Sequence, residues 1–367
     1  MKRTLVVILL ILVTIMTIAC GSGSSSSSAA RAYSGTASVG DFLSITLDPN
    51  AQTITYTNYS NGDSGVVPYT LNSDGTYTLN DPTGNLIAGY EVPNYGLLIQ
   101  AAKAGPNHAT PALITAIQQA PISISSMAGH QYNYMQFRTA SGGMEVGSVA
   151  IDGQGNINTT SYWPYGATSF SGSQGAFGAS TFLGSAIQAD PSGMFLKLLA
   201  DPGQYSYVFG TSNGLFAVDT PNGAILGFQK GASSAFDPSF AGTYQAIYYE
   251  KIGATTGAGN VEQGTPNLGK ATLLITSSGQ LTVQDPQGNT MLQATLTPVA
   301  NASYLYNGTN SELLDPCNGL FTFRVLHGSA PQDTFATFVG QAVLFSSFSA
   351  SSRTGTGYDY LYGVGLK

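Results

Sequence analysis

Apolar and polar residues alternate with a period of two in short stretches along the whole chain. Because successive side chains of a β-strand point to opposite faces, such alternation is typical of strands with one buried face. The clearest stretches are residues 44–47, 53–56, 77–79, 132–137 and 281–283. Residues 111–119 are the one segment that we expect to form a helix. The pattern predicts an all-β fold.

Asp-Pro pairs separate many of these stretches. Asp accepts hydrogen bonds from the backbone of its own turn, and Pro presets φ at the next position, so each pair predicts a turn. The pairs begin at Asp48, Asp81, Asp190, Asp201, Asp237, Asp285 and Asp315. Three Asp-x-x-Gly-Asn turns, at Asp81, Asp152 and Asp285, lack the several carboxylates that a calcium loop gathers. These acids are therefore interpreted as turn formers, and no metal or cofactor is predicted.

Three segments of the chain resemble one another, and an apolar strand follows each of them. They are residues 77–94, 205–222 and 303–318. We infer three divergent repeats, with boundaries at residues 32–126, 127–239 and 240–367. Each repeat has enough strands for a small antiparallel barrel or sandwich. A β-propeller built from shorter blades is the alternative.

The second repeat is longer than the first by about 26 residues after its third strand. The added segment contains Tyr162, Trp163, Tyr165 and Phe170, spaced by small residues. Clustered aromatic side chains in a long loop can stack on sugars or anchor a protein partner, although they also plug barrels. These four residues are the candidate ligand-binding site, for a glycan or an envelope protein.

Residues 210–214, Gly-Thr-Ser-Asn-Gly, match the G-x-S-x-G string of a hydrolase nucleophile elbow. The string aligns with hairpin turns of the other two repeats, so we interpret it as a turn. A serine hydrolase also needs a base, and the chain has only His108, His130 and His327, none at metal-ligand spacing. Cys317 has no close basic neighbour that would activate its thiol. No catalytic residue is predicted.

The alternative is an enzyme of the envelope that hydrolyses polysaccharide through paired carboxylates. It would draw on acids outside the Asp-Pro turns: Asp41, Glu91, Glu145, Glu250 and Glu262. Sequence spacing alone pairs none of them. A non-catalytic binding or structural role is therefore the preferred prediction.

The first 20 residues indicate where the chain is sent. Lys2 and Arg3 precede an uncharged apolar run at residues 4–19, shorter than the roughly 20 residues of a membrane-spanning helix. The run ends in Thr-Ile-Ala before Cys20 and resembles the signal peptide and lipobox of bacterial lipoproteins. The resemblance implies cleavage of residues 1–19, a palmitate-bearing Cys20 and attachment to a membrane. Residues 20–31 are rich in Gly and Ser and predict a flexible tether.

Charge limits the partners of the mature chain. Once Lys2 and Arg3 leave with the signal peptide, ten basic residues face 19 acidic ones, a balance of −9. This acidic balance lacks the basic patch of a nucleic-acid-binding protein. Gly21 after the cysteine resembles lipoproteins that are sent on to the outer membrane. We expect a lipid-anchored envelope protein, placed in the outer membrane.

Overall fold

The structure is a computed structural model that describes residues 29–105, 109–138, 143–151, 157–164, 187–201, 204–211, 213–221, 223–256, 262–299, 318–327, 330–349 and 358–367. Within these ranges the chain forms three antiparallel sheets that follow one another in sequence. The predicted signal peptide and Cys20 lie outside them.

The first sheet is a closed eight-stranded barrel in which each strand pairs with the next and the last returns to the first. Its strands are β1 (Arg31–Ala37), β2 (Phe42–Asp48), β3 (Thr53–Asn58), β4 (Ser64–Leu71), β5 (Thr76–Leu79), β6 (Leu86–Val92), β7 (Gly96–Ala104) and β8 (Thr110–Gln118). Eight strands enclose an interior just wide enough for side chains to fill. The inward side chains form a buried cluster that includes Tyr33, Leu47 and Tyr77.

The helix predicted at residues 111–119 is wrong, because these residues form β8. This strand closes the barrel by pairing with β1 on one side and β7 on the other. Its Ala and Leu residues favour a helix locally, but two flanking strands supply hydrogen bonds to both edges. Ala112, Ile114 and Ala116 then point into the barrel, where they are buried. Tertiary pairing thus overrides local propensity.

The second sheet has eight strands in the order β11-β10-β9-β16-β15-β14-β13-β12. They are β9 (Gln131–Arg138), β10 (Gly143–Ile151), β11 (Ile157–Pro164), β12 (Ile187–Ala189), β13 (Leu196–Asp201), β14 (Gln204–Gly210), β15 (Leu215–Thr220) and β16 (Gly223–Gln229). In chain order the first strand of this sheet, β9, pairs with its last, β16, as β1 pairs with β8 in the barrel. A one-turn helix, α1 (Ile124–Met127), precedes the sheet, and Ser123 caps its N-terminus.

The third sheet has nine strands in the order β20-β19-β18-β17-β25-β24-β23-β22-β21. They are β17 (Gly242–Thr256), β18 (Glu262–Ile275), β19 (Gln280–Gln284), β20 (Thr290–Thr295), β21 (Thr297–Pro298), β22 (Leu320–His327), β23 (Ala330–Val339), β24 (Ala342–Ser349) and β25 (Tyr358–Leu366). In chain order its first strand, β17, pairs with its last, β25, at the middle of the sheet. The edge strand β20 contacts β22 near the other edge, so the sheet curls into a nearly closed barrel. A 3-10 turn, Pro238–Phe240, leads into it.

The prediction of an all-β fold built from small antiparallel barrels or sandwiches is confirmed. The propeller alternative is wrong, because the sheets have eight or nine strands and the first closes on itself, whereas propeller blades have four. That the three sheets descend from one repeated unit, with the boundaries given above, stays a prediction.

The Asp-Pro turns are confirmed wherever the Asp side chain is described. Each of these carboxylates accepts a hydrogen bond from a backbone N–H two residues further on. They belong to Asp48, Asp81, Asp190, Asp237 and Asp285. Asp81 accepts most, from the backbone of Thr83, Asn85 and Leu86 and from the Thr83 hydroxyl. The side chains of Asp201 and Asp315 lie outside the described part of the chain.

One hydrophobic core joins all three sheets. It combines outward side chains of the first barrel with side chains of the second and third sheets. Among its members are Phe42, Leu98, Leu113, Phe137, Leu226, Tyr249 and Tyr362. Phe42 stacks on Tyr207 of the second sheet with ring centroids 4.4 Å apart. Phe137 stacks on Tyr362 of the third sheet at 3.9 Å.

Buried hydrogen bonds reinforce these contacts between sheets. The Thr36 hydroxyl donates to the Asp219 carboxylate at 2.6 Å, and the Tyr95 hydroxyl donates to the carbonyl of Val339 at 2.7 Å. Burial raises the pKa of Asp219 well above its usual range; the Thr36 hydrogen bond opposes that rise. The three sheets therefore pack as one body.

Candidate binding cavity in the third sheet

The predicted aromatic site is described only in part. Tyr162 and Trp163 lie on β11, the strand at one end of the described second sheet. Tyr165, Phe170 and the predicted lipidation site Cys20 lie outside the described residues. The aromatic site and the lipidation site therefore stay predictions.

The acids considered for a hydrolase are engaged by neighbouring groups where their side chains are described. Asp41 is buried and accepts a hydrogen bond from the backbone N–H of Gly105 at 3.0 Å. Glu250 accepts one from Asn267 at 2.6 Å. Glu91 lies in the first barrel, in a different sheet from Glu250. The side chains of the other two acids, Glu145 on β10 and Glu262 on β18, lie outside the description.

Glu91 is the centre of a buried polar cluster at one end of the first barrel. The Arg31 guanidinium donates to both of its carboxylate oxygens, from Nε at 2.7 Å and from Nη2 at 2.6 Å. The hydroxyls of Tyr33 and Tyr77 donate to the same two oxygens at 2.5 and 2.7 Å. Burial, and then the bond to Glu91, raises the pKa of both tyrosines. Four donors occupy this carboxylate, so it serves the barrel structure rather than chemistry.

The described residues of the G-x-S-x-G string lie between two strands, as the predicted turn requires. β14 ends at Gly210 and the antiparallel β15 begins at Leu215, so the string joins two neighbouring strands and precedes no helix. His130 is half-buried, with its Nδ1 3.1 Å from Nε2 of Gln229. The structure does not describe His108, Cys317, Ser212 or the side chain of His327.

Two further observations concern the described residues alone. No three side chains of His, Cys, Asp or Glu come together in a way that would hold a metal ion. No helix in these ranges has the length and apolar character needed to cross a membrane.

A cavity of about 570 Å³ lies inside the third sheet. Residues of β17 to β20 and of β22 to β25 line it, together with Leu296. The apolar residues that line it are Ala271, Leu273, Ile275, Leu281, Val283, Met291, Leu292, Leu296, Phe323, Ala336, Phe338, Val343, Phe345 and Leu361. The volume falls within the roughly 300–1,000 Å³ of small-molecule sites, which are mostly apolar.

Ile275, Phe338 and Val343 form the floor of this cavity, and a cluster of aromatic rings packs behind Phe338. Phe236 meets Phe321 and Phe338 edge to face, with ring centroids 5.5 and 5.7 Å apart. Phe240 stacks on Phe338 at 5.4 Å, and the Tyr244 hydroxyl donates to the carbonyl of Phe240 at 2.7 Å. The entering 3-10 turn is thus pinned beneath the sheet.

The last residue of the chain holds the same turn in place. The Lys367 ammonium donates to the carbonyls of Ser239 and Ala241 at 2.7 and 3.0 Å. It also lies 5.3 Å from the centre of the Tyr244 ring, a cation–π distance. Asp237 begins the turn by accepting from the backbone N–H of Ser239 at 2.8 Å. The turn formed by the Asp237-Pro238 pair is therefore held against the ring cluster behind the floor.

Polar side chains contact the cavity beyond its apolar walls. They are Tyr248, Glu250, Gln293 and Arg324. Glu250 and Arg324 lie on β17 and β22 away from the floor, since Phe321 of the ring cluster behind the floor precedes Arg324 by three residues. Burial, and then the charge of Glu250, raises the pKa of Tyr248. The site thus has an apolar interior and a polar rim that carries both charge signs.

Strand number and residue size explain why the third sheet has a cavity and the first barrel does not. A ninth strand widens a barrel, because diameter grows with the number of strands. Ala271 and Ala336 also leave space on facing walls. The interior of the first barrel, filled by Tyr33, Leu47 and Tyr77, retains only about 50 Å³. Sequence reasoning missed the cavity, and inward alanines are not a sufficient signal, because Ala112 and Ala116 point into the filled first barrel.

Comparisons with known proteins leave the chain without a family. No protein-family model matches it, and no curated protein matches it in sequence. It is similar to a variant of transferrin binding protein B, a vaccine antigen from Haemophilus parasuis Hp5, at 9% identity and a TM-score of 0.27, over 93% of this chain and 77% of that one.

Two further solved structures show similarities of the same kind. A protein of unknown function from Nostoc punctiforme is 11% identical, with a TM-score of 0.22, over 92% of this chain and 95% of that one. A candidate outer membrane protein from Bacteroides fragilis is 10% identical, with a TM-score of 0.17, over 66% of this chain and 98% of that one. TM-scores this low carry no information on function.

Proposed function

We propose that this chain is a lipid-anchored protein of the bacterial cell envelope whose β body binds a ligand without catalysis. The observation that carries the binding role is the apolar cavity of about 570 Å³ in the third sheet. Burial of apolar surface is the main driving force such a site offers to a ligand. The ligand is therefore a small apolar molecule or the apolar part of a larger one.

The envelope location rests on the sequence. The apolar run at residues 4–19, the small residues before Cys20 and the Gly/Ser-rich tether support export and lipidation. Acyl chains on Cys20 would hold the body at a membrane, where apolar ligands are abundant. Gly21 supports the outer membrane as the destination. A glycan or protein partner at Tyr162, Trp163, Tyr165 and Phe170 remains a separate proposal.

Metabolic labelling with a palmitate analogue tests the anchor. We expect the native chain to carry the label and to sediment with membranes, and Cys20→Ala to lose both, because the thiol is the acylated group. Cys317→Ala is the matched control and should keep both. Label on Cys20→Ala, or no label on any variant, would remove the lipoprotein proposal.

Filling the cavity tests the binding role. Ala336 is 2% exposed and lines the cavity, so Ala336→Leu places three more carbon atoms in the empty space. We expect the affinity for a fluorescent naphthalene-type reporter to fall about tenfold or more. The free energy of unfolding should rise by about 0.5–2 kcal/mol, as cavity-filling substitutions do.

Ala51→Leu is the control for this experiment, because Ala51 is exposed in a turn of the first barrel. It should bind the reporter like the native chain. Reporter binding that is equal in all three proteins would place the reporter elsewhere and contradict the cavity as the ligand site.

A further inference from the structure

The lining of the cavity extends along the axis of the third sheet. Along β18 its lining reaches down to Ile275, which pairs with Gly242 at the start of β17. At the other end it reaches Glu250, which pairs with Asn267. At about 3.3 Å per residue and a strand tilt of about 40°, this interval corresponds to about 20 Å along the barrel axis. A lining of about 20 Å from floor to rim fits an extended hydrocarbon chain better than a compact ligand of the same volume.

The chemistry of the walls changes from one end to the other. The floor is apolar, with Ile275, Phe338 and Val343, and Phe236 and Phe240 pack behind Phe338. The charged residues Glu250 and Arg324 lie at the opposite end of the lining. An amphiphile therefore has one favourable orientation, with its chain toward the apolar floor and its head at the rim. Because the rim carries both charge signs, it selects no particular head charge.

We infer that the ligand of this cavity is a single-chain amphiphile whose acyl chain lies extended along the axis of the third sheet. This inference rests on the proposed binding function and adds the class of ligand. The chain comes from a free fatty acid or from a single-chain phospholipid, which share this chemistry. The position of the floor then limits the length of the acyl chain that fits.

A chain-length series on the purified mature protein tests the inference. Straight-chain fatty acids of increasing length displace the naphthalene-type reporter, and a steroid serves as a compact apolar competitor. We expect the affinity to rise about fourfold per added methylene until the chain reaches the floor, and then to level off. The steroid should compete weakly.

A larger side chain at the floor should reduce the longest acyl chain that binds in full. Val343 lines the cavity and is the cross-strand partner of Phe338, so Val343→Phe shortens the space and should move the plateau to chains a few carbons shorter. Ile275→Phe, at the same end, is a second variant in case the first does not fold. Each variant is first checked for a native-like circular dichroism spectrum and unfolding transition.

The outcomes separate the two proposals. Failure of the reporter and of every competitor to bind would overturn the proposed binding function itself. Reporter binding with a steroid preferred over fatty acids, or with no dependence on chain length, would overturn the acyl-chain inference alone. A lysophospholipid that competes like a fatty acid of equal length indicates phospholipid as the source. Its exclusion indicates the free acid, and both results support the acyl chain.

Discussion

Replacement of Phe42 by alanine is expected to lower the free energy of unfolding by about 3–5 kcal/mol. Phe42 is fully buried, and although it belongs to the first barrel its ring packs against the second sheet. It lies 4.4 Å from Tyr207, 4.9 Å from Phe195 and 5.4 Å from Phe209, measured between ring centroids. The substitution removes the buried apolar surface of the ring and its contacts with these three rings, and it leaves a cavity between two sheets.

Guanidinium unfolding of the mature chain, followed by circular dichroism, measures this loss. Tyr59→Ala is the matched control, because Tyr59 belongs to the same ring cluster but is 45% exposed. Its loss should stay near 1 kcal/mol or below. Phe42→Leu, which keeps most of the apolar volume, should fall between the two. A loss below about 1 kcal/mol for Phe42→Ala would contradict a shared core.

The same experiment reports on coupling between the sheets. Independent modules joined by linkers unfold separately, whereas modules with a common hydrophobic core unfold together. Phe137 of the second sheet and Tyr362 of the third form an equivalent contact at 3.9 Å. We therefore expect one transition for the native chain. Weakening the first interface through Phe42→Ala should broaden it or split it into two.

Local sequence signals predicted the parts of the fold that depend on neighbouring residues. Asp81 and Asp285 were assigned to turns because the carboxylate needs only the next few backbone N–H groups as partners. Period-two alternation likewise identified strands such as β2 and β9. These features are complete within about ten residues, so the sequence contains all the information they require.

Features that depend on distant partners were not predictable in the same way. Residues 111–119 appeared helical because their strand pairing comes from β1, about 80 residues earlier in the chain. Phe42 lies on the outward face of β2, with Ser44 and Thr46, and its partners belong to another sheet. Whether inward residues such as Ala271 and Ala336 face a packed core or a cavity depends on the size of residues across the barrel. Sequence alternation is identical in the two cases.

The buried cluster around Glu91 should be as sensitive as the interface at Phe42. The Glu91 side chain has no solvent exposure, and it accepts hydrogen bonds from Arg31, Tyr33 and Tyr77. Glu91→Ala removes the hydrogen-bond acceptor that these three groups share. The largely buried guanidinium and the two buried hydroxyls then lose their hydrogen bonds to the carboxylate. We expect the free energy of unfolding to fall by about 3–5 kcal/mol, as when one member of a buried ion pair is removed.

A double-mutant cycle with Arg31→Ala isolates the ion pair. The coupling energy between the two substitutions should be about 1–3 kcal/mol, because the second removal relieves the buried charge that the first one leaves. Glu250→Ala is the matched control: that acid accepts a hydrogen bond from Asn267 in an exposed setting and should change stability by less than about 1 kcal/mol. Coupling near zero would mean that Arg31 is solvated. The first strand, which follows the predicted tether directly, would then be held to the barrel by its backbone pairing and its apolar side chains alone.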